Sequence, residues 1–169
     1  MHRHVKWIAL FSAVLMVSCD SGKERVDVSA VEIDLKIHRF EADLFQIVPD
    51  SMHACFPDLY EKYPRFLKMF VYGITKYNAK FDTTLVANYL QLFTADYVNY
   101  QVYKEIQKVF GDFREPRNQM EQALKHFKYY FPSKEIPEVY TYHGGFNESI
   151  VLDSGMIGIG LDKYLGRDS

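Results

Sequence analysis

Residues 138–166 read EVYTYHGGFNESIVLDSGMIGIGLDKYLG, and how this stretch divides into strands decides the fold. Val139-Tyr140-Thr141-Tyr142, Ser149-Ile150-Val151-Leu152 and Met156 to Leu161 are short runs of β-prone residues. Gly144-Gly145 lies between the first two and Asp153-Ser154-Gly155 between the last two, both turn-forming. The pattern predicts three strands in an antiparallel meander, with Gly158 and Gly160 marking a close backbone approach against an aromatic layer.

Upstream, Val31, Ile33, Leu35 and Ile37 alternate with Glu32, Asp34, Lys36 and His38, a period of two that predicts a further strand with one wet face. Between this strand and the meander the period changes to three and four. Leu44, Phe45 and Val48 begin it, and Leu59, Tyr60, Tyr63, Phe66, Leu67, Phe70 and Val71 continue it, with Pro64 kinking one helix or starting another. Asp82 or Thr83 can cap a helix through Phe93, Asp96 can cap the next through Phe110, and Pro116 opens a third that Pro132 closes. Helices covering one face of a small antiparallel sheet make an α+β layer architecture.

The chain has 169 residues, enough for one domain with a core. Its aromatic share is high at 16%, with 13 Tyr and 13 Phe, so ring packing should dominate the interior. Net charge is −2, and Arg3 and Lys6 fall in the first 18 residues, which excludes a basic nucleic-acid binder.

Those first residues read as an address. His2, Arg3, His4 and Lys6 precede an apolar run from Trp7 to Val17, of signal-peptide length and too short to span a bilayer of roughly 20 helical residues. Leu15-Met16-Val17-Ser18-Cys19 has the look of a bacterial lipobox, so residues 1–18 are expected to be a lipoprotein signal peptide and Cys19 the lipidated first residue. Residues 19–30 then form a tether and residues 31–169 a single domain. Cys55 is the remaining thiol, expected as a small buried apolar group, and one cysteine cannot staple a domain to itself.

Chemistry-bearing patterns are sparse. The mature histidines His38, His53, His126 and His143 include no pair three or four apart, and His-Glu-x-x-His is absent, so no metal site is expected. His126, between lysines, is expected to face solvent, and His143 to serve the Gly144-Gly145 turn or a site. Gly155, Gly158 and Gly160 lie inside a strand run rather than opening a helix, unlike a nucleotide loop. Asp153, Asp162 and Asp168 fit no calcium loop, and Ser149 and Ser154 have no recognisable triad spacing. Tyr97, Tyr100 and Tyr103, and later Phe127, Tyr129, Tyr130 and Phe131, fit either core packing or an exposed aromatic groove for a partner.

Three stretches, KIHRFEADLF (36–45), KYYFPSKEIPEVYTYHGGFNESIVL (128–152) and IGIGLDKYLGRD (157–168), together with the lipobox, resemble the gliding-motility lipoprotein GldB family of the Bacteroidota. The resemblance spans the mature chain and implies an N-terminal half, because family members are around twice this length; the stop after Ser169 is then expected to be an interruption. It also implies a lipid-anchored protein of the cell envelope, with the domain facing the periplasm or the cell exterior. That protein is expected to be non-catalytic, without cofactor, and to act through other envelope, motility or secretion components, its small-molecule ligand undetermined. Asp162, Tyr164 and Gly166 are expected to have a structural role at the join to the missing half. The alternative is the substrate-strand half of a zinc-dependent peptidase, whose front half looks similar and whose zinc helix would lie beyond residue 169.

Overall fold

The computed structural model describes residues 26–78 and 80–166. The chain divides into two compact units, Met1–Ala30 and Val31–Ser169. In the first, the Ser29 N–H donates to Asp27 Oδ1 at 2.9 Å, a local turn. The second holds the sheet and the helices.

Its described elements begin with β1 (Ile37–Arg39), α1 (Phe40–Gln46), a 3-10 turn at Pro49–Ser51, α2 (Met52–Lys62) and α3 (Pro64–Lys68). A π-helical segment (Met69–Ile74) follows, then α4 (Thr83–Ala95), α5 (Tyr97–Phe110) and α6 (Arg114–Tyr130). The chain continues with β2 (Glu138–Tyr142), β3 (Ile150–Asp153), β4 (Met156–Gly160) and a 3-10 turn at Leu161–Tyr164. Six α-helices and a four-stranded sheet make the α+β class that the hydrophobic periods predict. Asp82 and Asp96 cap α4 and α5 by accepting the N–H groups of Leu85 and Asn99, each at 2.9 Å. Pro64 starts α3, where its missing N–H is not needed.

The antiparallel meander is corrected. The strand order is β1-β2-β4-β3, with β1 parallel to β2, β2 parallel to β4, and β3 alone antiparallel to its neighbour. Ser154-Gly155 does make the tight β3–β4 hairpin, with Gly155 at φ +74°. Residues 143–149, however, form a long pinned loop that carries the chain past one strand position, and β4 returns into the gap. The expected strand at 31–38 is corrected too. Side-chain burial alternates as predicted, yet the ladder covers only Ile37–Arg39, with Val139 N–H donating to Lys36 O at 2.9 Å. One step further back the partner position is Pro137, which has no N–H to give.

Side-chain parity assigns two faces to the sheet. His38, Tyr140, Tyr142, Met156 and Val151 face α2, α3 and the π segment, where Phe40, Tyr63, Phe66 and Phe70 form a buried aromatic layer. Phe66 stacks on Tyr140 with centroids 4.6 Å apart and planes 8° apart, and Phe40 meets Tyr63, Phe66 and Phe70 at 4.9 to 5.2 Å. Gly158 makes this possible: a Cβ there would lie 2.5 Å from Val151 Cγ2, 3.2 Å from Tyr142 and 3.3 Å from Phe66. The other face carries Ile37, Val139, Thr141, Ile157, Ile159, Ile150 and Leu152, buried at β2 and increasingly open toward β3.

Candidate functional site

A groove of about 1280 Å³ opens at the starts of β2 and β4. Tyr63, Phe66, Tyr140 and Met156 line its floor, and Lys36, Arg65 and Glu138 its rim. Strand parity puts Glu138 and Tyr140 on one side of β2, and parallel register sets His38 beside Tyr140. Glu138 Oε2 accepts the Tyr140 hydroxyl at 2.8 Å and lies 3.2 Å from His38 Nε2, while Lys36 Nζ is 3.5 Å from Oε1. The His38 ring stacks on Tyr140 at 4.5 Å.

These contacts set protonation states. The Tyr140 hydroxyl holds the Glu138 carboxyl below its usual range against a partial burial cost, with His38 and Lys36 adding to the effect. Burial first, then Glu138, pushes Tyr140 up to about 12. Tyr63, which donates to Asp43 while Lys62 Nζ sits 2.7 Å from the same carboxylate, is pushed up more strongly, by burial and then by Asp43. At neutral pH the groove therefore offers an ionised carboxylate and neutral hydroxyls, groups suited to holding a ligand's polar atoms. Arg65 extends over it, bonding to Asp153 Oδ2 at 3.0 Å and Ser154 O at 3.2 Å.

Two buried polar clusters hold the sheet's frame. On the second face, the fully buried Glu41 side chain receives Arg39 Nε and the Thr141 hydroxyl, each at 2.6 Å. Arg39 also donates to Phe110 O at 2.9 Å and stacks on Phe113 at 4.4 Å, joining β1, α1, β2 and the end of α5. At the other end, Asp162 Oδ2 accepts the N–H groups of Phe146 at 2.6 Å and Gly144 at 3.2 Å, with His143 Nδ1 also at 3.2 Å. Burial raises the Asp162 carboxyl, but His143 and the two backbone donors outweigh it and keep the group below its ordinary value. This clamp holds the 143–149 loop, including Phe146 in the left-handed region at φ +60°.

Of the residues the sequence singles out, Cys19 lies outside the described residues. Cys55 is free and half-buried; His53 is exposed and 2.7 Å from Asn88 Oδ1; His126 is half-buried. His143 is buried as the loop's anchor, beside Asp162. Tyr164 is half-exposed and Gly166 has φ +96°. The aromatic series divides. Tyr103 stacks on Phe45 at 4.5 Å, whereas Tyr97, Tyr100, Tyr129, Tyr130 and Phe131 are exposed. Among the described residues, no group of three or more His, Cys, Asp and Glu is placed to hold a metal ion. Sequence reasoning passed over Glu138, Tyr140, Tyr63, Asp43 and Glu41. The same-face spacing of Glu138 and Tyr140 was the available signal.

Among the described residues no helix is long and apolar enough to cross a membrane. No curated protein and no solved structure matches the chain. A family model described as gliding motility protein GldB matches residues 21–169, nearly the whole sequence. The chain therefore belongs to the GldB family of gliding-motility lipoproteins.

Proposed function

We propose that the chain is anchored to an envelope membrane through an acylated Cys19 and acts without catalysis, through contacts with other envelope or motility components. The observation that carries this reading is the family match, which starts just past a lipobox-like Leu15-to-Cys19 segment. The exposed apolar and aromatic side chains, Leu152, Tyr97, Tyr130 and Phe131 among them, support the contact role. Two acyl chains or more would anchor the protein stably where one alone is marginal. Labelled palmitate on the wild-type chain and none on Cys19→Ser is the expected result; label on both, or on neither, overturns the anchor. In a gliding host lacking its own copy, a chain that restores spreading should still do so as His38→Ala or Tyr140→Phe. Loss of rescue by these variants at normal protein level would point to chemistry in the groove instead.

One observation favours a second reading. Strand β3 is a sheet edge, antiparallel to its neighbour, with Ile150 and Leu152 exposed, a geometry that can hold an extended peptide by strand addition. In a zinc-dependent peptidase, such a strand would present substrate to a metal bound elsewhere. Stoichiometric zinc in the purified protein would favour this reading over the first.

A further inference from the structure

The carboxyl end of α6 presents a fixed aromatic tip. Tyr129, Tyr130 and Phe131 are 50%, 60% and 54% exposed, three rings in succession that the domain leaves uncovered. Main-chain bonds fix their position. Phe131 N–H donates to Phe127 O at 2.8 Å, closing α6, and Phe131 O accepts Lys134 N–H at 3.0 Å across a turn that Pro132 stiffens. Phe131 packs on Phe127 with centroids 5.3 Å apart, and Tyr130 meets Tyr129 edge-on at 5.2 Å. Lys128 Nζ ties helix to turn by donating to Lys134 O at 2.9 Å.

The tip is basic and lies beside the start of the domain. Residues 122–134 hold Lys125, Lys128 and Lys134 and no acid. Lys125 pairs with Glu121 at 2.9 Å, but among the described residues neither Lys128 nor Lys134 has an ion-pair partner. Exposed tyrosines among unneutralised lysines match the chemistry of a membrane–water interface with anionic headgroups. Leu35 O accepts Arg117 of α6 at 3.3 Å, and Glu32, Ile33 and Asp34 share the walls of one groove with Phe127, Lys128 and Lys134. Residues 19–30 alone separate Cys19 from this part of the domain, and a chain of that length reaches at most about 43 Å. An acyl group on Cys19 therefore keeps this end of the domain within that distance of the lipid.

We propose that Tyr129, Tyr130 and Phe131 seat in the headgroup region of the membrane that holds Cys19, with Lys128 and Lys134 on anionic phospholipid. The inference rests on the anchoring reading: the acyl chains supply the hold, and the tip decides which end of the domain faces the bilayer. Glu32, Asp34 and Glu135 also line the groove beside the tip, and their repulsion from an anionic surface confines the contact to the rings and lysines.

The sole tryptophan of the sequence is Trp7, so the full chain carrying Trp7→Phe and Tyr130→Trp reports from the tip alone. In proteoliposomes of phosphatidylethanolamine and phosphatidylglycerol, lipid brominated near the top of its acyl chains should quench that fluorescence at least about threefold more than in Trp7→Phe, Tyr97→Trp. Position 97 is the fitting control, because Tyr97 is also exposed but follows Asp96. Adding Lys128→Gln and Lys134→Gln, or replacing phosphatidylglycerol by phosphatidylcholine, should lower the quenching at least about twofold with the melting temperature within a few degrees. Quenching at position 130 no greater than at position 97, or indifferent to both the lysines and the anionic lipid, overturns the proposal. So does a tip tryptophan that iodide reaches in lipid vesicles but not in native membranes, which would give the tip to a protein partner. Palmitate on Cys19 is read on the same chains. A labelled chain with an unquenched tip overturns the docking alone, an unlabelled chain with a quenched tip overturns the anchor alone, and an unlabelled, unquenched chain overturns both.

Discussion

The two faces of the sheet solve the same problem by different means. The first is sealed by rings. Tyr140, Tyr142 and Met156 meet Phe40, Tyr63, Phe66 and Phe70, and glycine at 158 clears the space that the rings occupy. The second is sealed only at β1 and β2, and there by a charged knot of Arg39, Glu41 and Thr141. Beyond β4 it opens, until Leu152 is 74% exposed. Shape complementarity thus carries the side that must be solid, and a directional polar network positions the other side while leaving half of it free for contact. A buried pair adds little net stability when intact, yet removing one partner is costly because the other is left uncompensated.

Substitutions can break this contrast, and the largest effects should come from the sealed regions. Phe66→Ala should cost about 3–5 kcal/mol in chemical denaturation, because it removes the ring stacked on Tyr140 and leaves a cavity. Glu41→Ala should cost a similar amount, about 3–5 kcal/mol, by stranding Arg39 inside the protein. If Glu41→Ala proves mild while Phe66→Ala does not, the second face is held by packing and the knot is secondary. Tyr140→Phe should cost only about 1 kcal/mol, the net worth of one hydrogen bond. At the open end, Leu152→Ser should stay within about 0.5 kcal/mol of wild type in monomer stability.

Titration probes the ring-sealed face in another way. Tyr63, Tyr140 and Tyr142 all face the aromatic layer, and burial is the leading cause that raises each of them above the ordinary 10.0. A raised tyrosine favours the protonated form in the fold, so its contribution is complete below pH 10 and drains away as pH climbs toward about 12, where Tyr140 ionises. The protein should therefore lose stability above pH 10, with part of the tyrosinate absorbance appearing together with unfolding. Smooth tyrosinate formation at pH 10 with the fold intact would show the layer to be wet. Glu138 and Asp162 act at the other extreme: both are lowered, so their contributions are present above the usual carboxylate range and vanish as acid protonates them.

The sequence disclosed what depends on neighbours along the chain. The caps at Asp82 and Asp96, the Ser154-Gly155 hairpin and the alternation through Tyr140 and Tyr142 are all local, and each is where the residues place it. Sheet polarity was not legible, because a glycine-rich segment of the length of residues 143–149 serves a hairpin or a skip equally well, and the choice is made by Asp162, 16 to 18 residues away. The groove's acid was hidden for the same reason, as His38 and Glu138 are partners across 100 residues. Residues 114–130 show the converse failure. Their apolar spacing is strongly helical and α6 forms, yet none of its residues is fully buried, since a period reveals which side of a helix is apolar and not how much of that side is covered.

The parallel contact between β1 and β2 has a kinetic consequence. All six described α-helices are strung between these two partners, so β1 has no sheet to join until residue 142 has been delivered. Closing a loop that long is entropically slow. A chain entering the envelope from its amino end would gather its helices first and lock its sheet last, with the aromatic layer exposed to holding factors in the interval.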